Sequence, residues 1–141
     1  MSNQLIKRLP TALDVISPAG WDVRNLLGLA GGGMAHFELA PGQTTIAVAH
    51  HTVEELWFFL KGRGEMWRKL GDQEECVFVD AGVCIAIPVG MHFQFRSFGY
   101  EPLAALGVTM PPWTGDEEAY AVEGPWQATT DIPHRQKADS E

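Results

Sequence analysis

Turn-forming residues recur at short intervals along the chain and divide it into many short runs. The runs are about five to eight residues long, a length typical of strands, and none shows a sustained 3.6-residue period. Many short strands at near-regular spacing predict an all-β antiparallel sandwich or barrel in a single domain. The predicted strands are residues 23–27, 34–39, 44–49, 55–61, 65–70, 75–79, 83–87, 93–97 and 103–110. A short helix is predicted at residues 12–16.

Length and charge limit the classes of function. The chain has 141 residues and a formal net charge of −8, with 45% apolar and 20% charged residues. This length supports one domain with a hydrophobic core, and these apolar and charged fractions are ordinary for a globular protein. The negative charge disfavours nucleic acid or a membrane surface as a partner. No apolar run approaches the ~20 residues of a membrane span, and the first residues lack the layout of a secretion signal, so a cytoplasmic location is expected.

The residue composition changes along the chain and suggests four segments. Residues 1–33 form an N-terminal segment with a short strand, and residues 34–110 form the barrel core. Residues 111–128 carry Trp113, Tyr120 and Trp126 after a pair of prolines, so we expect this segment to pack on the barrel or on a second subunit. Residues 129–141 are polar and are expected to form a flexible tail.

The two cysteines, Cys76 and Cys84, flank the turn residues Asp80-Ala81-Gly82 almost symmetrically. If that turn closes a hairpin, the two side chains become neighbours across its strands. The alternative is that both are reduced thiols that behave as small core hydrophobes, as in most cytosolic proteins. Neither cysteine lies in a Cys-x-x-Cys spacing, which disfavours a metal role.

Two adjacent imidazoles and two adjacent carboxylates precede the strand predicted at residues 55–61. They are His50, His51, Glu54 and Glu55. Nitrogen and oxygen ligands packed this closely at a strand entrance indicate a mononuclear metal site or an acid/base site.

Two spacings around this cluster resemble the sequence motifs of the cupin superfamily. Glu55 is separated by six residues from Gly62, as at the end of the first cupin motif. Gly82 is separated by five residues from Pro88, with Gly90 two positions later, as at the start of the second. The resemblance covers roughly residues 40–110. It implies an antiparallel cupin or jelly-roll β-barrel and a homodimer, for which the tryptophan-bearing segment 111–128 is a suitable clamp.

In cupins, two histidines and a glutamate of the first motif join a histidine of the second around one metal ion. The resemblance implies the ligand set His50 or His51, Glu55 and His92, with one divalent transition metal (zinc, manganese, nickel or iron) as cofactor and a metal-free site as the alternative. Either register of the first motif loses one histidine. In the second motif, the ungapped alignment puts Phe93 at the ligand position, and a turn shortened by one residue puts His92 there.

The same strands supply candidate catalytic and substrate-binding residues. Glu55, Trp57 and Phe59 share one strand face by the two-residue period, and that face would line the barrel interior. The candidate catalytic residues are Glu55 and His92. Gln94 and Arg96 turn inward if the second motif is shortened, because a slip of one residue reverses every following side chain. The candidate substrate-binding residues are Trp57, Phe59, Gln94 and Arg96.

Two hypotheses for function follow from this site. The first is a cupin-type enzyme, an oxygenase, isomerase or lyase, that acts on a polar organic substrate in the barrel cavity with one divalent metal. The second is a metal-free module that binds or senses a small molecule. The loss of at least one motif histidine favours the second, and the surviving histidine–glutamate cluster favours the first.

Overall fold

The computed structural model describes residues 5–130, and nearly all of their regular secondary structure is antiparallel strand. The strands are β1 (Val15–Ile16), β2 (Asp22–Leu29), β3 (Gly32–Leu39), β4 (Val48–His50), β5 (Glu54–Lys61), β6 (Arg63–Leu70), β7 (Gln73–Asp80), β8 (Cys84–Ile87), β9 (His92–Phe98), β10 (Leu103–Met110) and β11 (Ala119–Ala121). A 3₁₀ turn, Asp116–Glu118, precedes β11. No helix within residues 5–130 is long and apolar enough to cross a membrane.

The strands form two sheets that face each other. The order β1-β2-β3-β10-β5-β8 makes a six-stranded sheet, and β11-β4-β9-β6-β7 makes a five-stranded sheet. Apolar side chains from both inner faces meet in one core cluster. The predicted all-β antiparallel barrel in one domain is confirmed.

Alternation along β5 shows how the sequence positions the interior. Every second side chain, Glu55, Trp57 and Phe59, is buried, and the intervening ones are exposed. Successive side chains on a strand point to opposite faces, so this pattern assigns one face of β5 to the core and the other to the outside. The shared inward face predicted for these three residues is the one observed.

Two local predictions are wrong. The helix predicted at residues 12–16 is absent, because Val15 and Ile16 pair with β2 as the edge strand β1. The strand predicted at residues 44–49 shortens to Val48–His50. Upstream of this strand the backbone bonds to three different partners. The Thr44 carbonyl accepts a hydrogen bond from the Thr129 N–H. The Thr45 N–H donates to the Phe95 carbonyl, and the Ile46 N–H donates to the Ala19 carbonyl.

Both placements predicted for the cysteines are wrong, although the thiols are free, as the second alternative predicted. Cys76 lies on β7 and Cys84 on β8, and these strands belong to different sheets. The turn between them therefore connects the sheets and does not close a hairpin. Both thiols are free and exposed instead of buried in the core.

The segment that follows β10 packs back on its own barrel. Glu118 is buried, and its carboxylate accepts hydrogen bonds from the backbone N–H groups of Thr52 (2.6 Å) and Val53 (2.7 Å) and from the Thr52 hydroxyl (2.6 Å). Burial by itself would raise the pKa of Glu118, but these bonds outweigh it and hold that pKa below its usual value. The carboxylate thus ties the segment to the loop between β4 and β5.

Packing continues to the end of the described chain. The Thr129 N–H and the Thr130 N–H both donate to the Thr44 carbonyl, and Thr130 is buried. The first two residues of the predicted flexible tail are therefore held on the barrel. The rest of that tail, residues 131–141, lies outside the described residues.

Replacing Glu118 tests this tie. Glu118→Gln should lower the free energy of unfolding by about 2–3 kcal/mol, because a neutral amide replaces the charged acceptor of three hydrogen bonds. Urea denaturation near neutral pH measures the change. The exposed neighbour Glu117 is the matched control, and Glu117→Gln should change stability by less than about 0.5 kcal/mol. Equal effects of the two substitutions would contradict the assignment.

Candidate functional site

A cavity of about 480 Å³ lies between the two sheets. The N-terminal strands, the inner face of the barrel and the segment after β10 all contribute to its wall. Most of the lining is apolar or aromatic, and two of the lining side chains are carboxylates. The lining residues that the following argument uses are Trp21, Phe37, Val48, His50, Glu55, Trp57, Phe93, Trp113 and Asp116. The volume falls in the range of small-molecule sites.

The polar centre of the cavity is the pair His50 and Glu55. The last residue of β4 supplies the imidazole, and the second residue of β5 supplies the carboxylate, so a short loop brings them together. His50 Nδ1 lies 3.4 Å from Glu55 Oε2, and both side chains are about 95% buried. His50 Nδ1 makes no hydrogen bond of good geometry within the described residues, so it remains available to a ligand.

The surroundings change the acidity of both groups. Burial raises the pKa of Glu55 to about 7, although the Trp57 indole lowers it by donating a hydrogen bond to the carboxylate, and the charge of Glu118 raises it. Burial lowers the pKa of His50, against the opposing influence of Glu118. Desolvation disfavours the charged form of each group. Near neutral pH the pair therefore holds an exchangeable proton on a carboxyl, a condition that suits acid/base chemistry.

A rigid aromatic wall stands beside this pair. The Trp57 ring stacks on Phe37 (4.4 Å between centroids, 7° between planes) and on Phe95 (5.3 Å, 2°). Gly107 of β10 makes room for the stack, because a Cβ there would approach Phe37 to 2.6 Å and the Trp57 indole nitrogen to 2.9 Å. Trp57 thus both lines the cavity and orients Glu55.

The structure brings together only some of the predicted site residues. His51 is exposed and packs against Tyr120, at 4.4 Å between ring centroids. His92 is absent from the cavity wall, and Phe93 takes the inward position, opposite Val48. This is the ungapped register of the second motif. Of the predicted metal set, His50 and Glu55 meet in the cavity, and His51 and His92 lie outside it.

Of the predicted substrate-binding residues, only Trp57 lies on the cavity wall. Trp57 lines the cavity, whereas Phe59 is fully buried in the core and absent from the cavity wall. Gln94 and Arg96 face away from the interior. The Gln94 amide donates to the Trp126 carbonyl, and Arg96 pairs with Glu65 and lies over the Trp126 ring. Both residues hold the C-terminal segment.

The donor set fits a metal ion poorly. His50 and Glu55 are two of the four side chains at the cupin ligand positions, and the other two positions hold Val48 and Phe93, which have no donor atom. Within residues 5–130 no three His, Cys, Asp or Glu side chains come together in a metal-binding group. Protein sites for transition metals ordinarily use at least three side-chain ligands.

Several cavity residues escaped the sequence analysis. Trp21, Phe37, Trp113 and Asp116 come from segments before and after the motif region. Trp21 carries a buried indole N–H with no hydrogen-bond partner among the described residues. Because buried donors are normally paired, this group is a second candidate contact for a ligand. The sequence analysis predicted packing on the barrel or on a second subunit for the segment that carries Trp113, and it predicted no role for Trp21.

Comparison with known proteins agrees with this architecture. Residues 35–109, more than half of the chain, match the family described as the Cupin domain. The chain belongs to the cupin family. No curated protein matches the sequence.

Solved structures show the same fold at low sequence identity. A conserved protein with a double-stranded β-helix domain from Klebsiella pneumoniae superimposes with a TM-score of 0.65 and 17% identity, over 86% of this cupin and 99% of that chain. Ectoine synthase from P. lautus gives 0.65 and 20%, over 88% and 94%. Oxalate decarboxylase from Bacillus subtilis gives 0.63 and 17%, over 77% of this chain and 29% of that one. At these identities the similarity shows the fold alone.

The raised pKa of Glu55 makes stability depend on pH. In an unfolded chain Glu55 titrates near 4.5, and in the folded protein near 7. The contribution of Glu55 to the free energy of unfolding should therefore be greatest below about pH 4.5. It should decline as the pH rises toward 7, by up to about 3 kcal/mol in total. Glu55→Gln removes this titration, so its stability relative to wild type should increase between pH 5 and pH 8.

Chemical denaturation at several pH values measures this difference. Glu54→Gln is the control, since Glu54 is the exposed neighbour on the same strand. Its stability relative to wild type should not vary in the same way. A Glu55→Gln difference that stays constant with pH would contradict a raised pKa at Glu55.

Proposed function

We propose that this cupin binds a small, largely apolar organic molecule in its barrel cavity and exchanges a proton with it through Glu55 and His50, without a metal. One observation carries the proposal: a buried carboxyl with a pKa of about 7 lies beside an unpaired imidazole nitrogen in an otherwise apolar and aromatic cavity. Two neighbouring groups whose environments shift their acidity in this way are the usual equipment of an acid/base site.

The lining sets the chemical class of the molecule. It includes the carboxylates Glu55 and Asp116, and no lysine or arginine is present among the described residues of the cavity wall. An anionic ligand would have to be buried without a compensating cation, which is costly. The lining therefore disfavours an anion, and it fits a neutral molecule with one hydroxyl or carbonyl group that reaches the polar pair. This is less polar than the substrate expected from the motifs.

Each residue has a distinct role in this proposal. Protonated Glu55 donates to a carbonyl oxygen, and its carboxylate accepts from a hydroxyl or removes a proton from carbon. His50 Nδ1, 3.4 Å from Glu55 Oε2 and without a hydrogen-bond partner among the described residues, accepts a hydrogen bond from a hydroxyl of the molecule or exchanges a proton with it. The flat face of Trp57 packs against the apolar body of the molecule, and the N–H of Trp21 provides a second hydrogen bond.

The volume and the wall support entry of a small ring. Trp113 is partly exposed, and its ring lies edge-on to His50 at 5.2 Å between centroids. Asp116, also on the cavity wall, is exposed. These two residues mark where the cavity reaches the surface, so a molecule can enter beside the segment that follows β10.

Simple probe molecules test the proposal in chelator-treated protein. Cyclohexanone and phenol at millimolar concentration should raise the melting temperature, because a ligand bound only by the folded state stabilises it by mass action. Benzoate of similar size should have no such effect, because its charge would be buried near Glu55. Glu55→Gln should weaken the response to phenol, and the exposed control Glu54→Gln should retain it.

Binding of cyclohexanone should also depend on pH. Its oxygen can only accept a hydrogen bond, so it needs protonated Glu55, and its affinity should fall as pH rises through about 7. Isothermal titration at pH 6 and pH 8 measures this. The proposal fails if benzoate stabilises as well as phenol does. It also fails if zinc, manganese, nickel or iron(II) raises the melting temperature of wild type but not of Glu55→Gln.

A further inference from the structure

One row of inward positions on the six-stranded sheet carries very little side-chain volume. Strand pairing places Thr109 of β10 opposite Glu55 of β5. On the other side of Thr109 it places Gly33 of β3, and Gly28 of β2 lies opposite Gly33. All four residues line the cavity. From Glu55 toward β2, the row therefore offers one small side chain followed by two glycines. We call the positions of Thr109, Gly33 and Gly28 the bare row.

The backbone and the packing would both accept a side chain at position 33. The φ angle of Gly33 is not positive, so the conformation there suits any residue. A Cβ on Gly33 would meet no described atom nearer than the Thr109 hydroxyl, at 3.7 Å, which is an ordinary contact distance. Its neighbour Gly32 differs, because a Cβ there would approach the Thr109 carbonyl oxygen to 2.8 Å.

Glycine inside a strand weakens that strand, and it often marks a place where a ligand approaches closely. Gly33 lies within β3 and on the cavity wall. A side chain at this position would project into the cavity between Thr109 and Gly28. The glycine therefore keeps space open inside the barrel, at a cost to strand stability that the packing does not require.

The bare row ends at an irregularity in β2. Between Asn25 and Gly28 the pairing with β3 shifts by one residue, so Leu26 and Leu27 together lie opposite one residue of β3. Successive strand residues normally point to opposite faces, but a bulge redirects its side chains, and bulges are frequent beside binding sites. Here both leucines are half-buried and line the cavity. They give the row an apolar end.

The dimensions of the row correspond to a single hydrocarbon chain. With strands about 4.8 Å apart, Gly28 lies about 14 Å from Glu55, three strands away. Successive inward positions along a strand are about 7 Å apart, which leaves the width of one unbranched chain. The stacked rings of Trp57 and Phe37 bound the row on one side, over Gly107.

The length of the row also gives the length of the chain. A hydroxyl that is hydrogen-bonded to Glu55 lies about 3 Å from the carboxylate oxygen. An extended chain advances roughly 1.3 Å per carbon, because C–C bonds of about 1.5 Å are inclined to its axis. The remaining distance to the leucines of the bulge therefore takes about eight carbons.

We propose that the bare row and the β2 bulge form a subsite for an unbranched apolar chain. The inference rests on the proposed function for the polar end of the molecule, whose hydroxyl or carbonyl group reaches Glu55, and it adds the shape of the rest. The ligand class is a straight-chain alcohol, aldehyde or ketone of about eight carbons. Removal of each methylene from water along the row supplies affinity in proportion to its apolar area.

Straight-chain 1-alkanols from butanol to decanol test the subsite in the full chain. Isothermal titration should show affinity rising about 4-fold per added carbon up to about eight carbons and then levelling off. Gly33→Val should end the rise about three to four carbons earlier, because Gly33 lies one strand, about 4.8 Å, closer to Glu55 than Gly28 does. Gly31→Ala is the matched control, since Gly31 is exposed and lies off the cavity wall. It should keep the wild-type profile.

Leu27→Ser tests the apolar end of the row without replacing a glycine. It should weaken octanol binding at least 5-fold and leave butanol binding unchanged, because only the longer chain reaches the bulge. Leu29→Ser is the control, since Leu29 lies on the same strand, is 77% exposed and is not part of the cavity wall. It should change neither affinity. Equal affinities of butanol and octanol for wild type, or a chain-length profile that Gly33→Val leaves unchanged, would overturn the subsite.

Glu55→Gln separates the subsite from the proposed function. If the polar pair binds the hydroxyl, this substitution weakens every alkanol by a similar factor and leaves the gain per carbon unchanged. Full affinity in Glu55→Gln with the profile intact would contradict the proposed function and keep the subsite. Binding that depends on Glu55 but shows no gain along the series would keep the function and overturn the subsite. Failure of all the alkanols to bind would overturn both.

Discussion

The aromatic stack of Phe37, Trp57 and Phe95 joins the two sheets of this cupin and organises its interior. Phe37 and Trp57 belong to the six-stranded sheet, and Phe95 belongs to the five-stranded sheet, so the parallel rings bridge the barrel. Gly107 leaves the space that the stack needs. Because the Trp57 indole also donates to Glu55, the same packing that closes the core sets the direction of the one carboxyl at the centre of the cavity.

Burial then determines the chemistry of that carboxyl. A glutamate on an inward strand position is removed from water, and the protein supplies one indole donor and one nearby imidazole to compensate. This compensation is incomplete, so the proton stays on the carboxyl to near neutral pH. The two cupin ligand positions that would bring further donors hold Val48 and Phe93. Among the described residues, the cavity thus keeps one histidine and one glutamate at the cupin ligand positions and has no further donor side chain at those positions.

Segments outside the barrel core complete the cavity. The N-terminal strands add Trp21 to its wall, and the segment after β10 adds Trp113 and Asp116. The buried carboxylate of Glu118 holds that second segment against the β4–β5 loop, immediately beside His50. The hydrogen bonds of Glu118 therefore join the segment at the cavity entrance to the loop that follows His50.

The sequence by itself determined the fold class, most strand positions and the inward face of β5. These features depend on local signals, the two-residue period and the turn residues, which act between near neighbours. Strand β10, for example, has the predicted bounds. The sequence also predicted that His50 lies close to Glu55, since both residues lie in one motif only five positions apart.

Only the tertiary structure decided the rest. Whether His92 or Phe93 faces the cavity depends on the register of β9 against β4 and β6, which long-range pairing sets. The same register decides that Gln94 and Arg96 point outward. There they contact Trp126 of the C-terminal segment, which is distant from them in sequence. The same limit applies to the cysteines and to Trp21. Their surroundings come from strands and segments that the chain brings together only when it folds, and no local pattern encodes those contacts.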